Sequence, residues 1–152
     1  VKPPPQRGEV LHFRENFTVI NDSYNSNPDA LISMVKTLID GGAAAKRKIV
    51  VAGEMLELGA EQAAIHREVG QILAESGIDF LISVRGLARE MTEGAREYGL
   101  SETSFFENSE KAGEFLASEI KAGDLVLVKG SRGVRTEKVI EKLLERFEIE
   151  NQ

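Results

Sequence analysis

Three short polar stretches hold the residue types that could do chemistry. Asn21-Asp22-Ser23-Tyr24-Asn25-Ser26-Asn27-Pro28 gathers carboxamides, hydroxyls and a carboxylate between an apolar run and an amphipathic pattern. Lys129-Gly130-Ser131-Arg132-Gly133 combines two cations, a hydroxyl and two glycines that let backbone N–H groups approach a ligand. A carboxylate or phosphate matches such a loop, above all where a helix N-terminus follows it. Between the two, Gly53-Glu54-Met55-Leu56-Glu57-Leu58-Gly59 sets acids in a glycine-bounded loop, suited to Mg2+ coordination or to base chemistry, and His66 lies downstream. Each stretch also has a plainer reading. Asn, Ser, Asp and Pro make ordinary turns and helix caps, Lys and Arg are mostly solvated, and a lone His more often packs than catalyses.

Absent motifs narrow the chemistry. No Gly-x-x-x-x-Gly-Lys-Ser/Thr stretch is present, so the chain has no phosphate-binding loop of the common NTPase type. The dinucleotide fingerprint Gly-x-Gly-x-x-Gly is missing too, which argues against a nicotinamide or flavin enzyme. With no cysteine, disulfides and thiolate metal sites are excluded and a cytoplasmic setting is favoured. His12 and His66 stand far apart, so no metal site is assigned. A net charge of -6 without a long basic run argues against nucleic acid or an anionic membrane surface as partner. No apolar run approaches the roughly 20 residues of a membrane span, and no signal-peptide pattern is seen.

The elements that must position these loops follow from periodicity. Glu9 to Phe13 and Phe17 to Ile20 flank Arg14-Glu15-Asn16 as a short hairpin leading into the first main strand. Leu31, Met34, Val35 and Leu38 recur at helical spacing, so a helix is expected over about 28–40, with Asn27 as its cap, Pro28 in its first turn and Gly41-Gly42 as its stop. Ile49 to Ala52, Ile78 to Val84 and Leu125 to Val128 are continuous apolar runs, as in strands covered on both faces, and Ser104 to Phe106 is a briefer one. Between and after them come helical stripes: Ile65, Val69, Ile72 and Leu73, with His66 beside that face; Leu87, Met91, Ala95 and Tyr98; Ala112, Phe115 and Leu116; and Val139, Ile140, Leu143, Leu144 and Phe147. This alternation predicts an α/β, Rossmann-like fold: a mostly parallel sheet with helices on both faces. In a parallel sheet the loops after the strands emerge along one edge, where ligands bind, so the three polar stretches are expected to share a side.

Taken together, the runs Asp22 to Pro28, Gly53 to Gly59 with His66, and Lys129 to Arg132 with Glu137 resemble the C-terminal domain of the Mur ligases. The wording Tyr24-Asn25-Ser26-Asn27-Pro28 is most similar to the members that add D-alanyl-D-alanine to a UDP-N-acetylmuramoyl-tripeptide in peptidoglycan synthesis. The resemblance runs from about Arg7 to Phe147 and implies an ATP-dependent amide ligase of three domains. In that family ATP phosphorylates a carboxylate and the incoming amine attacks the acyl phosphate; ATP and Mg2+ are held mainly by a central domain that carries the phosphate loop. It also makes residues 1–8, with Pro3-Pro4-Pro5, the remnant of an interdomain linker and 9–152 the amino-substrate-binding domain, inactive alone. The resemblance implies that Arg7, Asp22 and Asn25 face ATP, that Lys129, Ser131, Arg132 and Glu137 face the dipeptide, and that Asn27, Glu54, Glu57 and His66 stand behind them. No catalytic residue is assigned here. Two departures stand out: Glu54 where the family has Asp, and Arg135-Thr136 where a Met precedes the acid Glu137. A related ligase using another amino acid, such as a diamino acid ligase or a folylpolyglutamate synthetase, and a stand-alone nucleotide or small-peptide binding module remain as alternatives.

Overall fold

The structure, a computed structural model, describes residues 9–23, 26–130 and 133–150. Six strands form one sheet in the order β1-β2-β6-β3-β4-β5. They are β1 (Glu9–His12), β2 (Thr18–Asp22), β3 (Arg47–Gly53), β4 (Phe80–Val84), β5 (Thr103–Phe106) and β6 (Asp124–Lys129). Only β1 runs antiparallel, as the outer arm of the expected hairpin; the pairs β2·β6, β6·β3, β3·β4 and β4·β5 are all parallel.

Alternation along each buried strand feeds two cores. Ile49, Val51, Ile82, Val84, Val126 and Val128 point to one face, where they meet α4 (Ser109–Glu119) and α5 (Glu137–Arg146). Val50, Ala52, Leu81 and Leu127 point to the other and meet α1 (Pro28–Gly41), α2 (Gln62–Ser76) and α3 (Ala88–Glu97). The fold class is therefore as the sequence predicts. α1 starts as expected: the Asn27 carboxamide accepts from Ala30 N at 2.9 Å, satisfying one of the orphan donors of the first turn, and Pro28 needs no acceptor.

Several expectations are corrected in detail. β2 runs on to Asp22, so Asn21 and Asp22 are strand residues and the polar loop begins only after them. Lys129 likewise closes β6 instead of opening a loop. His66 lies on the buried face of α2 with Val69, Gly70 and Leu73, not beside it, whereas Ile72 is left 37 % exposed. At 3.6 residues per turn the arc set by Val69 and Leu73 runs through position 66 and leaves 72 to one side. Leu144 is exposed for the same reason, on the margin of the Val139, Ile140 and Leu143 stripe, and Tyr98 is exposed because α3 ends at Glu97.

At the amino edge of the sheet Arg47 donates from Nε and Nη2 to both oxygens of buried Asp124, at 3.1 and 2.9 Å. This hydrogen bond holds the guanidinium above its ordinary pKa. A raised cation contributes stability that is lost only as pH rises through its folded value, so Arg47 stays charged at any working pH.

Candidate functional site

β2, β6, β3, β4 and β5 all point the same way, so their following loops share the carboxyl edge of the sheet. After β6 the chain turns to α5 on one face, while the neighbours β2 and β3 lead to α1 and α2 on the other. That divergence opens a crevice at a topological switch point, where ligands bind in such sheets. The stretches after β2, β3 and β6 flank it, as the sequence predicts.

At its centre Asp22 and Lys129 face one another. They are register partners across β2 and β6, and Lys129 Nζ donates to Asp22 Oδ2 at 2.8 Å. Side-chain exposures of 6 % for Lys129 and 16 % for Asp22 make this a largely desolvated ion pair. Two residues assigned to different ligands thus form one unit joining the loops after β2 and β6. Around them Ser23 Oγ donates to Asn21 Oδ1 at 2.9 Å, both residues buried, and Asn27 is spent on capping α1, whereas the Ser26 hydroxyl is buried without a hydrogen-bond partner among the described residues. Arg7, Asn25, Ser131 and Arg132 lie outside the described residues.

The acidic loop after β3 is held from both ends. Met55 N donates to His66 Nε2 at 2.9 Å, and His66 Nδ1 lies 2.7 Å from Gln62 O. Because Nε2 must accept from an N–H, Nδ1 carries the proton and donates to the carbonyl: His66 is the neutral Nδ1–H tautomer, fully buried. It moors the loop to α2. Glu54 Oε2 accepts from Leu87 N at 2.9 Å at the start of α3, where a carboxylate suits the positive end of the helix. Glu57 is exposed and holds a left-handed φ of 62°. Glu137, first residue of α5, has Oε2 3.5 Å from Arg135 Nε. Among the described residues no three His, Cys, Asp or Glu gather to hold a metal ion.

Arg85, which the sequence reading passed over, stands in the same edge after β4. Its Nη1 donates to Gly133 O at 2.6 Å and its Nε lies 3.7 Å from Glu54 Oε1, so one side chain spans the loops after β3 and β6. Glu57, Arg85 and Arg135 all take positive φ at this edge, a conformation that non-glycine residues adopt mostly in turns and at functional sites. A cavity of about 300 Å3 opens here between Arg85, Asn108, Val134, Arg135 and Lys138. Another, of about 310 Å3, lies at the opposite end of the sheet among Asn16, Gly41, Gly42 and Gly123, away from every loop described above.

The sequence matches the family model for the Mur ligase, glutamate ligase domain, over residues 6–132. The chain belongs to the Mur ligase family. The resemblance carried by the three loops is therefore borne out, although Glu137 falls beyond the matched segment. This Mur ligase domain is 31 % identical over 147 residues to the UDP-N-acetylmuramoyl-tripeptide--D-alanyl-D-alanine ligase of Escherichia coli (strain K12), covering 95 % of this chain and 31 % of that protein. It is 27 % identical over 146 residues to the enzyme of the same name from Bacillus subtilis (strain 168), covering 95 % and 32 %. Among solved structures it is similar to MurF from Acinetobacter baumannii, with a TM-score of 0.84 and 25 % identity over 96 % of this chain and 32 % of that one. It is also similar to the MurF ligase from Thermotoga maritima in complex with ADP, with a TM-score of 0.73 and 28 % identity over 95 % and 32 %. The chain spans about a third of the length of the curated relatives it matches.

Proposed function

We propose that the chain is the amino-substrate-binding domain of an ATP-dependent ligase that joins D-alanyl-D-alanine to the carboxylate of a UDP-N-acetylmuramoyl-tripeptide. The observation that carries this reading is the alignment along 95 % of the chain with enzymes of that name, of which it spans about a third. On this reading the remaining polypeptide holds the UDP-linked substrate, the ATP phosphates and Mg2+, residues 1–8 are linker, and the reaction takes place in the cytoplasm.

The domain's part is placement. Asp22, with Arg7 and Asn25, faces the nucleotide; Lys129, Ser131, Arg132 and Glu137 face the dipeptide. Asn27, Glu54, Glu57 and His66 shape the loops behind them: His66 does so by accepting from Met55 N and Glu54 by capping α3. The ion pair of Asp22 with Lys129 supports the assignment, because it fixes the nucleotide-facing and the dipeptide-facing loops relative to each other. Closing such an edge over an acyl phosphate brings the amine into attack geometry and keeps water away.

The test is ADP release by the full-length polypeptide that carries this domain, supplied with ATP, Mg2+ and the UDP-linked tripeptide. Turnover that depends on D-alanyl-D-alanine supports the proposal. Turnover with a single amino acid or a diamino acid, but not with the dipeptide, would assign the domain to a different Mur ligase.

A further inference from the structure

The segment that follows Ser131 and Arg132 is pinned through two successive carbonyls. Gly133 O accepts from Arg85 Nη1 at 2.6 Å, and Val134 O accepts from Ser109 Oγ at 2.9 Å. The donors come from different elements, the end of β4 and the first turn of α4. Arg85 is itself held at two further points: its N–H donates to Phe106 O at 2.8 Å, and its guanidinium approaches Glu54, which in turn accepts from Leu87 N. Its backbone holds φ 76°, a setting glycine adopts freely and a side-chain-bearing residue adopts only at a cost. That cost, the crowding of Cβ against the following carbonyl oxygen, is opposed by the contacts of the guanidinium with Gly133 and Glu54. Ser109 is buried, and its hydroxyl is committed to the same segment.

We infer that Arg85, assisted by Ser109, is a positioning residue for the amino substrate: it clasps Gly133 and Val134 in the stretch between β6 and α5, the stretch to which the proposed function gives the incoming dipeptide. The inference rests on the ligase reading above. Arg85 acts through Gly133, across the β3, β4 and β6 loops, and not on the reacting atoms.

Arg85→Gly separates positioning from stability, because it removes the guanidinium while relieving the left-handed backbone. In the full-length ligase the variant should raise KM for D-alanyl-D-alanine about tenfold, the weight of one charge-assisted hydrogen bond, with KM for the UDP-linked substrate within about twofold of the parent. In the 152-residue chain, amides of residues 133–136 should exchange with solvent about tenfold faster while the β3 and β6 amides keep their protection. Ser109→Ala, which takes the donor from Val134, should move both readouts in the same direction. An unchanged dipeptide KM in either variant, or unchanged exchange at 133–136, overturns the inference. A parent enzyme that turns over ATP without regard to the dipeptide overturns instead the ligase reading, and the exchange result then still decides whether the clasp exists.

Discussion

Breaking the pair of Asp22 with Lys129 should cost far more from one side than the pair is worth as a whole. At the observed 2.8 Å separation the gross attraction is about 6 kcal/mol at an effective dielectric of ~20. Desolvating both ends takes back most of that, so the two charges are a unit whose loss by halves is the costly event. Asp22→Asn takes the carboxylate partner from an ammonium that is only 6 % exposed, and should destabilise by about 3 kcal/mol, equivalent to ~6–12 °C in Tm for a chain of this size. Lys129→Met strands a carboxylate that is 16 % exposed and can turn toward water, for about 2 kcal/mol. The double variant should lose only about 3 kcal/mol, leaving a coupling near 2 kcal/mol. The assay is urea unfolding of the parent, both single variants and the double variant, with comparison valid where the slopes agree. A coupling below ~0.5 kcal/mol would refute the claim that the segments after β2 and β6 are joined through this contact.

Other expectations concern the scaffold around the site. The Thr136 hydroxyl is buried without a hydrogen-bond partner, at the position where a Met was expected; Thr136→Val should therefore stabilise by about 1 kcal/mol, seen as a higher urea midpoint at unchanged slope. Replacing His66 by Phe leaves Met55 N without its acceptor; the loss should be about 2 kcal/mol, with faster amide exchange confined to the loop after β3. Gly70→Ala would drive a methyl group into the Met91 carbonyl, where α2 crosses α3. Overpacking there should cost about 2–3 kcal/mol, and a thermal melt matching the parent would show that the two helices can part cheaply.

Much of this protein is legible in its sequence, and the legible part is what local physics controls. Continuous apolar runs announce strands buried on both faces, and the run at β3 is buried from Ile49 to Gly53 as that pattern requires. Asn27-Pro28 and Asn108-Ser109 announce helix starts, because a carboxamide that caps an N–H two or three residues on needs nothing distant. Parallel order then places the stretches after β2, β3 and β6 on one edge with no further information.

What the sequence leaves open is who touches whom. Asp22 and Lys129 are 107 residues apart, and only the β2·β6 register makes them partners. The family resemblance implies one ligand for Asp22 and another for Lys129. His66 shows a similar limit: helical spacing sets its face only once the true arc of burial is known, and its tautomer is decided by Met55, on another element. Arg85 was missed because a lone Arg before a Gly carries no motif. The parallel order alone put the loop after β4 on the site edge, and that was the available signal. Its role depends on a carbonyl 48 residues away. Periodicity and capping act within a turn or two of chain and can be read from composition, whereas register and hydrogen bonds between distant loops exist only after the sheet has closed on both of its cores.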